Sequence, residues 1–335
     1  MDNSLSAFIK NTGDSLLKNE KLPGIFVGVL DNGTRSFYNF GFADPDKQMP
    51  FDSATLFEIA SITKTFTAFV LEKVLLEKHI SDTTSIINYL PDSVKQNKAL
   101  EPVTFLRLMN HTSGLPRLPE NMDIKTFNMT PYDSYSPDML FSYLKTSKPG
   151  YMGNQVLYSN LGAGLAGLLA QRISGKSYFE LVDKYIFGPF KLGKADKDYK
   201  NIANKAQGYF KNEKSTYWSM NALGPTYIIK SSADEMLSYL QYMSTPTGSD
   251  KAFVDQLLQP SAIYAPGSHI SRAWFTVEQE GKPTIYWHNG GSYGFSSFGG
   301  FIPGKNKAVI VVVNKFGQNG TSDGLGIAIL DKLIN

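Results

Sequence analysis

The chain has 335 residues, 42% hydrophobic and 13% aromatic, which is enough apolar content for one large packed domain or two of ordinary size and excludes a disordered chain. Its 33 basic and 30 acidic residues give a net charge of +3, with no block of five like charges, so nucleic-acid binding has no electrostatic footprint. Cysteine is absent and the four histidines (His79, His111, His269 and His288) include no pair at ligand spacing, which excludes a disulfide frame, a thiolate zinc site and a cysteine nucleophile; no metal or cofactor is expected, and the compartment stays open.

A helical pattern starts almost at Met1, while the first twenty residues contain Asp2, Asp14 and Glu20 and no apolar core of a signal peptide. That combination fits a mature form whose leader has been removed. The longest purely aliphatic run, Ala308 to Val313, is too short to span a membrane.

Gly24 to Leu30 is apolar and β-branched, Asp31-Asn32-Gly33 supplies turn chemistry, and Thr34 to Phe42 alternates; together they predict a β-hairpin. Apolar spacing then predicts helices over Ser61 to His79, Pro102 to Asn110, Asn160 to Ile173, Tyr178 to Ile186 and Ser232 to Met243. Pro116 to Gly150, with Phe127, Tyr132 and Tyr135, is long for a plain connection and reads as a wall of a site. From about Ala273 the pattern returns to strands, at Trp274 to Gln279, Thr284 to Trp287, Phe295 to Ile302 and Ala308 to Val313, and Ser322 to Ile334 fits a last helix. Strands at both ends with helices between them define an α+β protein in which the termini meet in one antiparallel sheet.

Ser61-Ile62-Thr63-Lys64 places a hydroxyl and an amine one helical turn apart. The same spacing occurs at Ser15-Leu16-Leu17-Lys18 and Ser142-Tyr143-Leu144-Lys145. Ser15 lies among charged residues, and Ser142 precedes a basic helix end, so both read as surface, where lysine keeps its ordinary pKa of about 10.4 and is no base at neutral pH. Leu56, Phe57, Ile59 and Ala60 precede Ser61, and Ile62, Phe66, Ala68, Phe69 and Val70 follow it. Burial among them disfavours the charged amine, and the helix N-terminus favours an alkoxide.

Three other patterns carry blander readings. Gly290-Gly291-Ser292-Tyr293-Gly294 matches the nucleophile elbow, but a strand follows where that motif needs a helix, and no histidine comes after it. Gly162-Ala163-Gly164-Leu165-Ala166-Gly167 matches the dinucleotide fingerprint without the strand it requires, and reads as a small-residue helix face. His111 reads as a turn histidine bonded to backbone.

Tyr158-Ser159-Asn160 stands at the start of the glycine-rich helix, and His288-Asn289-Gly290-Gly291 follows the strand ending at Trp287. With Ser61-x-x-Lys64, these occur in the order SxxK, YxN and Lys/His-x-Gly, and the chain therefore resembles the serine β-lactamase and penicillin-binding-protein superfamily. The resemblance is to the branch with class C β-lactamases, D-Ala-D-Ala peptidases, D-aminopeptidases and related esterases. Phe57 to Ser61, Leu108 to Pro116, Lys230 to Asp234 and Gly294 to Ser297 also look like family segments. Tyr199-Lys200-Asn201 fits YxN as well, so the ordered set carries the likeness.

The resemblance implies a sheet part from residues 1–55 and 225–335, a mainly helical part from residues 56–224, and an active site at their junction. It implies acyl transfer through a Ser61 ester, with Lys64 and Tyr158 sharing the proton. The oxyanion hole would be the backbone N–H groups of Ser61 and Gly291. Asn160 would hold Lys64 and bind the substrate amide, and His288, Asn289 and Gly290 would complete the substrate-binding strand. Small-molecule or peptide substrates and a periplasmic or secreted location are implied in the same way. Class C β-lactamases usually carry lysine at the position of His288, so the substitution shifts the expectation from β-lactams to D-amino-acid peptides, amides or small esters.

Overall fold

The computed structural model describes residues 3–123, 126, 128–150, 153, 155–193, 199–219 and 221–334; Phe127 lies outside them. In chain order the helices are α1 (Asn3–Asn19), α2 (Thr63–Glu77), α3 (Asp92–Lys95), α4 (Phe105–Met109), α5 (Pro137–Leu144), α6 (Asn160–Ser174), α7 (Tyr178–Val182), α8 (Ala233–Ser244), α9 (Asp250–Leu258) and α10 (Asn319–Ile334).

The strands are β1 (Gly24–Asp31), β2 (Thr34–Gly41), β3 (Phe57–Glu58), β4 (Tyr209–Phe210), β5 (Glu213–Lys214), β6 (Lys230–Ser231), β7 (Ala262–Ala265), β8 (Ser268–Ile270), β9 (Phe275–Val277), β10 (Ile285–Gly291), β11 (Ser296–Ile302) and β12 (Lys307–Val313). Eight of them form one sheet in the order β2-β1-β12-β11-β10-β9-β8-β7, and each pairing in it is antiparallel. β1, from the N-terminal hairpin, pairs with β12 from Ile25↔Val313 to Asp31↔Lys307.

Side chains alternate between the faces of a strand. On one face, Ile25, Val27, Val29, Val309, Val311 and Val313 pack with Leu5 and Ile9 of α1 and Leu325, Ile329 and Leu333 of α10. On the other, Phe26, Leu30, Ala308, Ile310 and Val312 join Met236, Leu237 and Leu240 of α8 and the helical core. β1 and β12 therefore read as continuous apolar runs because both faces are covered. The fold is α+β.

α2 runs through the helical core, with every residue from Thr63 to Glu72 buried. Against it packs α6, whose Gly167 leaves no room for a side chain, since a Cβ there would stand 2.3 Å from Pro225. The Gly162 to Gly167 run is thus a close-packing face, as its sequence context indicated.

A buried ion cluster joins the sheet to the helices. Arg272, between β8 and β9, donates from Nε to Glu72 Oε1 of α2 at 2.7 Å and from Nη2 to Asp82 Oδ2 at 2.5 Å. All three are nearly inaccessible. Burial, with Asp82 alongside, pushes the Glu72 carboxyl up to about 7 even though Arg272 pulls it down.

Candidate active site

Ser61 sits in a 3₁₀ turn, Ala60–Ile62, that leads directly into α2. The helix proper begins at Thr63, two residues later than the apolar spacing predicts. Ala60 and Ile62 are fully buried, and Ser61 between them is partly exposed, so the hydroxyl is reachable while its neighbours anchor it. Ala60 has φ 46°, a left-handed conformation that costs a residue with a Cβ on the order of 1–3 kcal/mol and persists only where packing enforces it. Ser297 Oγ of β11 supplies one such restraint, donating to Ile59 O at 3.0 Å.

Lys64 projects back over the turn and donates from Nζ to Ser61 Oγ at 2.9 Å and to Thr226 O at 3.2 Å. It is 2% exposed. Burial pushes its pKa well below the ordinary lysine value, and the Arg117 charge lowers it further, so the neutral amine is favoured. The second partner expected for Lys64 was Asn160. The second partner that Lys64 has here is the Thr226 carbonyl. Asn160 Oδ1 is buried with no protein partner, an acceptor available to a substrate N–H.

Ser159 explains why Tyr158 and Asn160 flank the site. Its hydroxyl caps α6, accepting from Gly162 N at 2.8 Å, a cap of the kind worth about 1 kcal/mol. Capping turns the chain so that Tyr158 precedes the helix and Asn160 opens it. The Tyr158 ring lies 4.9 Å from Lys64 Nζ. Its partly exposed phenol is pushed up to about 12 by desolvation, offset in part by a hydrogen bond with Ser61 and by Arg117. Around one hydroxyl stand an amine whose charged form is disfavoured and a phenol that holds its proton.

β10 closes the other side. Gly290 is backed against the nucleophile turn so closely that a Cβ there would lie 2.2 Å from Ile59 O and 2.6 Å from Ser297 Oγ. The next residue, Gly291, is exposed, and this contact brings its backbone beside the Ser61 turn. Gly290→Ala is expected to lower stability by about 1–3 kcal/mol through overpacking and to cut turnover roughly 100-fold by displacing the strand. Unfolding midpoints and single-turnover rates measure the two effects.

Two residues expected to bind substrate have protein partners of their own here. His288 is completely buried, its ring 6.2 Å from that of Tyr158 and 5.4 Å from that of Phe275. Nδ1 bonds Asn289 O at 2.6 Å. Desolvation and the nearby Lys64 press its pKa down to about 3, so it is neutral and supports Tyr158 from behind. Asn289 faces the opposite side by strand alternation and donates to Asp323 Oδ2 of α10 at 2.6 Å.

The remaining motifs resolve simply. Ser15, Lys18, Ser142 and Lys145 are all exposed. Ser292 is buried and donates to Glu58 Oε2 at 2.6 Å, while Glu58 Oε1 accepts from Trp218 N at 2.6 Å. That carboxylate ties the strand before Ser61 to the turn after Gly291. His111, at φ 60°, accepts from Ser159 N at 3.3 Å and packs 4.4 Å from the Tyr158 ring, a backbone-bonded turn histidine that also backs the site. Tyr199 stacks on Tyr217.

Sequence reasoning did not single out Thr226, Arg117 or Asn319. Thr226 acts through its backbone carbonyl, which leaves no side-chain signal. Asn319 donates to Gly290 O at 2.8 Å and holds β10 from the helix side. Arg117 follows directly on the His111 to Pro116 segment, and its position there was the available clue.

An α+β fold with a serine, a buried lysine and a tyrosine at the meeting of sheet and helices defines a serine hydrolase of the β-lactamase-related type. The Beta-lactamase family model matches residues 9–333, and the chain belongs to that family. A β-lactamase of Providencia stuartii is 26% identical, covering 90% of this chain and 84% of its own; one of Escherichia coli is 25% identical over 93% and 89%. Among solved structures, a class C β-lactamase from Rhodobacter sphaeroides and a β-lactamase/D-alanine carboxypeptidase from Pseudomonas syringae superpose with TM-scores of 0.82 and 0.83. Both are 21% identical, over 98% of this chain and 99% of theirs, a likeness of fold.

No helix among the described residues is long and apolar enough to cross a membrane.

Proposed function

We propose that the protein hydrolyses D-amino-acid peptides, amides or small esters through a Ser61 acyl-enzyme, outside the cytoplasm. The observation that carries this reading is the 2.9 Å hydrogen bond between Ser61 Oγ and an amine whose charge burial disfavours. The Lys64 amine takes the hydroxyl proton as Ser61 Oγ bonds to the substrate carbonyl carbon. Backbone N–H groups of Ser61 and Gly291 receive the developing oxyanion, each worth about 3–4 kcal/mol in the transition state.

Tyr158 remains a phenol up to about pH 12. It donates a proton to the leaving group as the tetrahedral adduct collapses, and the Lys64 ammonium returns the proton to the phenolate. Water then attacks the ester by the same relay in reverse. Asn160 Oδ1 accepts from the substrate amide.

The substrate side of the reading rests on His288. A neutral, buried imidazole gives the strand no permanent charge where class C β-lactamases usually carry lysine, which supports weighting the reading toward peptides and esters. The alternative, a class C-like β-lactamase, is kept by the relatives that bear that name. A panel of a D-Ala-D-Ala peptide, a D-amino-acid p-nitroanilide, p-nitrophenyl acetate and nitrocefin separates the two. Turnover of a peptide, anilide or ester with kcat/KM above that of nitrocefin is expected, and nitrocefin as the best substrate would establish the alternative.

A further inference from the structure

If β10 offers no cation, a substrate carboxylate needs another partner. We infer that Arg117 binds a carboxylate on the substrate's leaving group, one α-carbon away from the atom that Tyr158 protonates. This deepens the proposed function and rests on it.

Four observations place Arg117 there. Its guanidinium lies over the Tyr158 ring, 5.1 Å from the centroid, an arrangement that an aromatic face stabilises. Its backbone is fixed, with its carbonyl accepting from Asn160 N at 3.0 Å and Leu161 N at 3.3 Å, so the side chain leaves from the start of α6 at a set point. The residue is exposed. Among the described residues no carboxylate forms an ion pair with it. An unpaired guanidinium beside the reacting groups presents a fork of donors suited to a carboxylate.

Leaving-group chemistry matches this placement. In an α-amino or α-hydroxy acid the carboxylate carbon stands two bonds from the departing nitrogen or oxygen, about 2.5 Å. A group receiving its proton from Tyr158 therefore holds its carboxylate near the guanidinium stacked on that ring. Substrates released as α-amino or α-hydroxy acids are selected on the helical side of the cleft. The same charge lowers the pKa of Lys64, so the specificity group also favours the free base.

The test compares 2-acetoxypropanoate with 2-acetoxypropanamide, and N-acetyl-D-Ala-D-Ala with its C-terminal amide, in the wild type, Arg117→Gln and Arg117→Lys, each at its pH plateau. An acyl-side control sets p-nitrophenyl succinate against p-nitrophenyl butyrate. The wild type is expected to prefer the leaving-group carboxylate at least tenfold in kcat/KM, Arg117→Gln to lose that preference, and Arg117→Lys to keep part of it. Free D-alanine should slow fluorophosphonate labelling of Ser61 in the wild type more than D-alaninamide does, and not in Arg117→Gln; this arm decides the matter even where turnover is slow.

Equal rates for acid and amide, a preference that survives Arg117→Gln, or a preference confined to the acyl-side pair overturns the inference. Failure of Ser61 to label at all overturns instead the proposed function. Melting curves of both variants confirm that the fold is retained.

Discussion

Lys64→Met is expected to lower kcat/KM for any substrate by roughly 10²–10⁴-fold, the range for loss of a general base, while leaving the fold intact, since methionine fills the same buried space without a charge to desolvate. Lys64→Arg should not rescue activity. Arginine keeps a positive charge near Ser61 but is never deprotonated in proteins, so the comparison separates a base from a charge.

The pH profile of the wild type gives the sign independently. Burial lowers the Lys64 pKa, so activity rises with pH as the amine loses its proton and is lost as pH falls through that lowered value. The alkaline limb belongs to Tyr158, raised to about 12, so activity should persist above pH 10. Arg117→Gln should move the acid limb upward, because removing a neighbouring positive charge lets Lys64 hold its proton more tightly.

The largest effect on stability is expected from Arg272→Ala, a loss of about 3–5 kcal/mol, as for other buried ion pairs deprived of one partner. It strands Glu72 and Asp82, which are 3% and 8% exposed. The folded pKa of Glu72 is raised from 4.5 to about 7, so the folded state binds the extra proton. Stability from this group is complete below the unfolded pKa and is lost as pH rises through the folded one. The deficit of the variant should therefore be greater at pH 8 than at pH 5, where protonation relieves the stranded carboxylate. Urea unfolding followed by circular dichroism at the two pH values measures it. Glu72→Gln in the Arg272→Ala background should recover part of the loss.

What the sequence revealed of the fold followed periodicity. The β1–β2 hairpin and β12 were legible because their side chains alternate or run apolar under two covered faces, and α2 because its apolar residues recur at helical spacing. β7 and β8 were not anticipated. They are four and three residues long, and exposed Ile263 and Tyr264 show no alternation to read. α9, at Asp250–Leu258, also went unread; its apolar face is short and packs against α2. The late start of α2 reflects the strained turn at Ala60, which packing from β10 and β11 enforces and no local preference announces.

At the site, residue types and order singled out Ser61, Lys64 and Tyr158, which the fold brings together. They were less informative about orientation. His288 and Asn289 are neighbours on one strand, and alternation sends one into the core behind Tyr158 and the other to α10. Motif order carries no record of which face a side chain takes. Nor could it show that Lys64 is held by a carbonyl, because Thr226 contributes only backbone.

The central claim is that Ser61, activated by the neutral Lys64, carries the acyl group. Its most direct test is to trap the protein with a fluorophosphonate at pH 7 and locate the adduct by peptide mass spectrometry. A single adduct on Ser61, absent from Ser61→Ala and formed at least 100-fold more slowly in Lys64→Met, is the predicted result. An adduct on Ser15, Ser142 or Ser292, or a rate unchanged in Lys64→Met, would contradict it.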